Sequence, residues 1–179
     1  MAKFAINTLE FTKVREKLSQ YAGTAMGQRL AMELMSSSRF EEVKLYQEET
    51  AEAVRILDEG RRIPLGGITD ISGLVKRTRV GSLLDPEEFK AIQDAISGML
   101  DLKAFLKEVS ETAPALVRYS DELHDFSRLS KQLSSVLDEK GNIKDTASVK
   151  LSGLRTGILV ARNRVKDKLS DLLHDPNNQ

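Results

Sequence analysis

The chain has 179 residues, 40% hydrophobic and 30% charged, with Lys+Arg and Asp+Glu both at 27. That length allows one large domain or two small ones with a sizeable core, and the zero net charge argues against a globally basic nucleic-acid binder. The lack of cysteine excludes disulfides, thiolate zinc sites and a cysteine nucleophile. No apolar run approaches the roughly 18 residues of a membrane span, and no signal-peptide core is present at the N-terminus, so a cytosolic, soluble protein without membrane contact is expected.

Prolines occur only at 64, 86, 114 and 176, which leaves long stretches free to be helical. Residues 9–21 and 26–35 read as two shorter helices separated by Gly23-Thr24. Ser38-Arg39-Phe40-Glu41 has the form of a capping box. Val43, Tyr46, Thr50, Ala53 and Leu57 follow at helical spacing as the expected apolar face, and Gly60 stands where a C-terminal glycine belongs. Residues 63–70 form an extended loop with a turn at Gly66-Gly67, and Asp70 is placed to cap a short helix to about Arg79. Asp85-Pro86-Glu87-Glu88 repeats the capping pattern with proline at the first helical position. Phe89, Ile92, Ile96, Met99, Leu102, Leu106 and Val109 then trace one apolar stripe.

Two further helices are expected over 115–136, followed by a small β-hairpin near 136–144 turning at Glu139-Lys140-Gly141-Asn142. From 145 to about 173, Leu151, Leu154, Ile158, Ala161, Val165, Leu169 and Leu172 recur near a coiled-coil spacing. Such a helix would be roughly 40–45 Å long. No aromatic residue follows Phe126, which suits an arm better than a core element. The predicted fold is therefore all-α: a helical core, the hairpin, and a long C-terminal lever or coiled-coil helix.

Catalytic chemistry is not legible. No Gly-x-x-x-x-Gly-Lys-Ser/Thr string exists to cradle phosphates, and Gly66-Gly67 reads as a turn. His124 and His174 stand 50 residues apart without ligand motifs; His124 makes at most a surface pair with Asp121, and His174 complements a helix C-terminus. The cluster Glu41, Glu42, Glu48, Glu49 and Glu52 reads as a solvated helix face, not an acid/base pair. No nucleophile elbow occurs. One charge feature stands out. Between 150 and 168, Lys150, Arg155, Arg162, Arg164, Lys166 and Lys168 face the single acidic residue Asp167. Clustered cations of this kind can contact nucleic-acid phosphates, or form a solvated coiled-coil face. Gly153 and Gly157 within the same helix permit close helix approach or weaken it locally.

Thr8-Leu9-Glu10-Phe11, Tyr21-Ala22 and Gly27, then Glu49-Thr50-Ala51-Glu52-Ala53, resemble the opening landmarks of the bacterial MutS paralogues called MutS-two. The run from Pro64 to Ile71 (Pro-Leu-Gly-Gly-Ile-Thr-Asp-Ile), the run from Gly81 to Glu88, and the run from Leu137 to Ser148 with Leu151, Leu154 and Arg155 follow in the family's order. The departure is at Gly153 and Thr156-Gly157, where the family is more charge-rich. The resemblance implies a cytoplasmic, homodimeric ATPase with a C-terminal Smr endonuclease domain, acting on branched or double-stranded DNA or on collided ribosomes through ribosomal RNA. Residues 1–144 would be core helices with the hairpin, and 145–179 the start of a lever or clamp arm that continues further. ATP, Mg and the nuclease would lie outside this chain, so no catalytic, cofactor or metal residue carries over. Gly66, Gly67 and Gly141 are the hinge candidates. A competing reading is an independent helical adaptor that binds a partner through its amphipathic C-terminal helix; a small helical enzyme has no residue constellation to support it.

Overall fold

A computed structural model describes residues 10–174, with side chains described through residue 170. The described residues form eight α-helices: α1 (Phe11–Tyr21), α2 (Ala25–Glu33), α3 (Phe40–Asp58), α4 (Ser72–Arg79), α5 (Pro86–Glu108), α6 (Pro114–Glu122), α7 (Ser127–Val136) and α8 (Val149–His174). A 3₁₀ turn over Asp145–Ala147 precedes α8. The expected start of the first helix at Leu9 lies outside the described residues.

Several boundaries follow from capping chemistry. Thr24 Oγ1 accepts the Gly27 N–H at 3.0 Å and opens α2. Asp85 and Glu88 exchange side-chain and backbone hydrogen bonds at 2.8 and 3.1 Å, so the capping box of α5 forms as the sequence predicts. At the end of α3, Gly60 takes φ 75°, while the Gly60 and Arg61 N–H groups return to the Leu57 and Ile56 carbonyls. This is the glycine-terminated C-cap expected there. Ser148 Oγ accepts the Leu151 N–H at 3.1 Å to start α8.

Three expectations fail. Ser38 does not cap α3: Arg39 occupies the cap position without a side-chain bond, and Ser37 instead donates to Glu42. The apolar face of α3 is also rotated. Tyr46, Thr50 and Leu57 are exposed, whereas Leu45, Glu49, Glu52 and Ile56 turn inward. The β-hairpin over 136–144 does not form; no strand occurs among the described residues. A single antiparallel bridge joins Leu137 and Ile143. The turn between them is held by the Asp138 carboxylate, which accepts the N–H groups of Lys140 and Asn142 at 2.9 and 2.8 Å. Backbone bonds from the Asp138 N–H to the Asn142 carbonyl at 2.9 Å and from the Lys144 N–H to the Val136 carbonyl at 2.8 Å complete the loop, too few to extend into strands.

The core is centred on Ile56, Val109 and Ala113, with Ile63, Phe105 and Leu116 packed against it. It joins α3, α5 and α6. A second buried stretch, Ala95, Ile96 and Gly98, runs along α5. Gly98 is needed there: a Cβ would stand 2.5 Å from the Gly66 carbonyl oxygen and 2.8 Å from Ile68. The loop over 63–70 can therefore lie directly on α5 only across a glycine. α1 and α2 pack as a hairpin, tied onward by the 2.7 Å ion pair of Arg29 and Asp70. The arm, α8, is 26 residues and about 39 Å long, with every residue from Gly153 to Ser170 exposed.

Candidate nucleic-acid interface

α8 carries all six of the candidate phosphate-contacting side chains, and a helical period sorts them. Arg155, Arg162 and Lys166 follow one edge of the apolar stripe, and Lys150, Arg164 and Lys168 follow the other. Asp167, Thr156 and Asn163 lie on the opposite side. Along the stripe Leu154, Ile158, Val165 and Leu169 are each more than half exposed. Leu159 and Val160 fall outside it, also exposed, so apolar residues are not confined to one seam.

Arg155 differs from the other five. Its guanidinium forms an ion pair with Asp145 and donates to the Ile143 carbonyl at 3.1 Å. It ties the first turns of α8 to the loop before it. Lys150, Arg162, Arg164, Lys166 and Lys168 make no ion pair among the described residues. The side chain of His174 lies outside the described residues. His124 stacks on Phe126 with ring centroids 6.1 Å apart, and no hydrogen bond or ion pair joins it to Asp121 among the described residues.

The hinge candidates divide as well. Gly67 and Gly141 both have positive φ, 75° and 83°. A Cβ at Gly67 would meet the Asp94 carbonyl oxygen at 2.9 Å, and one at Gly141 would meet Lys90 Cβ at 3.0 Å. The two loops thus seat on α5 one turn apart, over side chains that are themselves ion-paired, Lys90 with Asp94. Gly66 has open space around its Cα. Gly153 and Gly157 in α8 likewise meet nothing within 4 Å, so they bring no helix close here.

The Gly66-Gly67 loop does not suit a nucleotide phosphate. One side of it is occupied by α5, and the residues that follow are Ile68, Thr69 and the carboxylate of Asp70. That carboxylate accepts the Ser72 N–H at 3.0 Å and pairs with Arg29. Bonding to Ser72 first, and to the Arg29 guanidinium, holds its pKa well below the usual carboxylate range. It stays anionic and would repel phosphate. Among the described residues no group of three or more His, Cys, Asp or Glu side chains could hold a metal ion, and no helix is long and apolar enough to cross a membrane.

The acidic helix α3 departs most from its expected role. Glu52 is buried, at 7% exposure, and its two carboxylate oxygens accept the N–H groups of Ala115 and Leu116 at 3.1 and 3.0 Å. These are early N–H groups of α6, whose own cap residue Ala113 has no acceptor side chain. Glu49 pairs with Arg118 and accepts from the Tyr119 hydroxyl at 3.0 Å. Partial burial pushes the Tyr119 phenol up from its ordinary value. Two members of the supposed solvated face therefore cross-brace α3 to α6. The clue in the sequence is a helix starting at Ala113-Pro114 without Ser, Thr, Asp or Asn to cap it.

These features describe an all-helical core bearing a long exposed arm. No family model matches the chain. Over its entire length, however, it is 31% identical to proteins of Bacillus cereus, Bacillus thuringiensis and Bacillus anthracis named Endonuclease MutS2. The chain is thus MutS2-related and MutS-like, and it spans about a quarter (23%) of the length of the curated relatives it matches.

Proposed function

We propose that this chain is the non-catalytic core and arm portion of a MutS2-type, DNA-handling ATPase, with the core reaching to residue 144 and the lever or clamp arm beginning at 145. The observation that supports it most is the kinship along the whole of this chain, taken with an exposed arm on which five cations without an ion pair among the described residues extend along more than four turns. The relatives are named as endonucleases, which favours a nucleic-acid partner. The whole protein would act in the cytoplasm as a homodimer on branched or double-stranded DNA, suppressing recombination, or on collided ribosomes. Its ATP, Mg and nuclease sites would come from the remainder of the relatives' length.

In this reading Lys150, Arg162, Arg164, Lys166 and Lys168 meet backbone phosphates, while Arg155 positions the root of the arm. Rearrangement in the ATPase is passed through α3, α5 and α6 to α8, and the loops at Gly66-Gly67 and Gly141 absorb the change. The test is fluorescence anisotropy on labelled branched DNA at low and moderate salt. Binding that weakens steeply with salt, and that is lost when Arg162, Arg164, Lys166 and Lys168 become glutamine, is the expected result. No binding at low salt would reduce the arm to a mechanical part. The exposed stripe of Leu154, Ile158, Val165 and Leu169 favours a second reading, an adaptor helix that docks on a partner. Retained partner binding by the glutamine variant, without any DNA binding, would select it.

A further inference from the structure

Beneath α4 lies a hollow of about 510 Å³. Its walls are chiefly apolar: Met26 from α2, Ile68 and Ile71 from the loop, Val75 from α4, Met99 from α5, and Phe126 before α7. α4 is tied down at its two ends. Arg29 holds Asp70 just before the helix, and Arg77 near its end pairs with Glu88 of α5. Val75, between these ties, is 44% exposed, and Phe126 across the hollow is 36% exposed.

Besides the ion-paired Asp70, the charged residues that line the hollow are the cations Lys76 and Arg79. Lys76, Arg77 and Arg79 occupy the last turn of α4. Arg77 is committed to Glu88 and to the Leu83 carbonyl at 3.3 Å. Lys76 and Arg79 line the hollow and have no ion-pair partner among the described residues. The nearest anion on the rim, Asp70, is already saturated by Arg29 and the Ser72 N–H. What remains is an apolar floor beside two uncompensated cations.

We propose that the hollow beneath α4 is a docking site for a short acidic segment of a partner protein, which seats an apolar side chain against Val75, Met99 and Phe126 and sets its carboxylates against Lys76 and Arg79. Charge complementarity selects this occupant. The arm of a second copy is unsuitable, because its stripe is edged by cations that would face Lys76 and Arg79. A nucleic acid would satisfy the cations but leave the floor uncovered, since that floor offers a base few hydrogen-bonding groups. An acidic peptide with an apolar anchor satisfies both surfaces at once.

The experiment is selection of random phage-displayed peptides on the full chain, followed by fluorescence polarisation with the fluorescein-labelled consensus peptide. The expected consensus pairs an aliphatic or aromatic anchor with Asp or Glu. Its affinity should fall by about tenfold or more in Lys76→Glu/Arg79→Glu, since like charges would then face each other. It should be unchanged in Arg162→Gln/Arg164→Gln. Lys76 and Arg79 are both exposed, so the first variant keeps its fold, which circular dichroism checks. A consensus without acidic residues, equal binding by the α4 variant, or no enrichment at all overturns the proposal. So does labelled duplex DNA that competes with the peptide and is itself lost in the α4 variant, which would give the hollow to nucleic acid. The glutamine variant of α8 separates this outcome from the arm's proposed contact with DNA.

Discussion

α3 and α8 are both long, charged helices, yet one is built into the core and the other is exposed from Gly153 to Ser170. In α3 the carboxylates of Glu49 and Glu52 turn toward α6, where uncapped N–H groups and Arg118 await them. In α8 five cations make no ion pair among the described residues, and an apolar stripe is left exposed beside them. Whether a charged side chain is buried depends less on its own helix than on the unsatisfied groups of its neighbour.

The contrast can be broken most sharply at paired isoleucines. Ile56→Ala, at 1% exposure, is expected to cost about 3 kcal/mol in urea unfolding. Ile158→Ala, at 54% exposure, should stay within about 0.5 kcal/mol. Next comes Glu52→Ala, which strips acceptors from two N–H groups of α6 and should cost about 2 kcal/mol. An Asp167→Ala control on the arm should leave the unfolding midpoint unmoved. A smaller gain is expected from Ser120→Ala. Its hydroxyl is fully buried without a hydrogen-bond partner, so removal should stabilise by about 0.5–1 kcal/mol, read as a higher melting temperature.

The smallest effect concerns pH. Asp70 has a folded pKa depressed below its ordinary 3.8 by Ser72 and Arg29. Its contribution is therefore complete above the unfolded value and is lost as pH falls through the folded one. The start of α4 should stay ordered at pH 4 and loosen only below it. Carbon-detected titration of the Asp70 carboxyl checks this, and a midpoint at 3.8 or above would contradict the observed bonding.

Much of the fold was legible because it is written in local chemistry. Asp85-Pro86-Glu87-Glu88 and Gly60 specify helix ends through bonds within a few residues, and both stand as expected. The stripe on α5 also holds at Ile96, Leu106 and Val109, although Phe89 is 39% exposed. The register of α3 was not legible, because counting apolar residues sends glutamates outward. Its true inner face is set by an acceptor-free cap at Ala113, in contact only after folding. The 136–144 segment misled for a related reason: Asp138 satisfies the turn from its side chain, which periodicity does not record. For the arm, sequence located the cations, and only the helix revealed that Arg155 is committed at the root.

Anchorage of its first turns to the preceding loop gives α8 a property that no single side chain has. A rigid rod of about 39 Å converts a tilt of about 5° at its base into a displacement of about 3 Å at its tip. The base is fastened by Arg155 to Asp145 and Ile143, and by Lys144 to the Ser134 carbonyl at 2.6 Å. Exchanging one of those fastenings would rescale the reach of the arm without altering any residue along it.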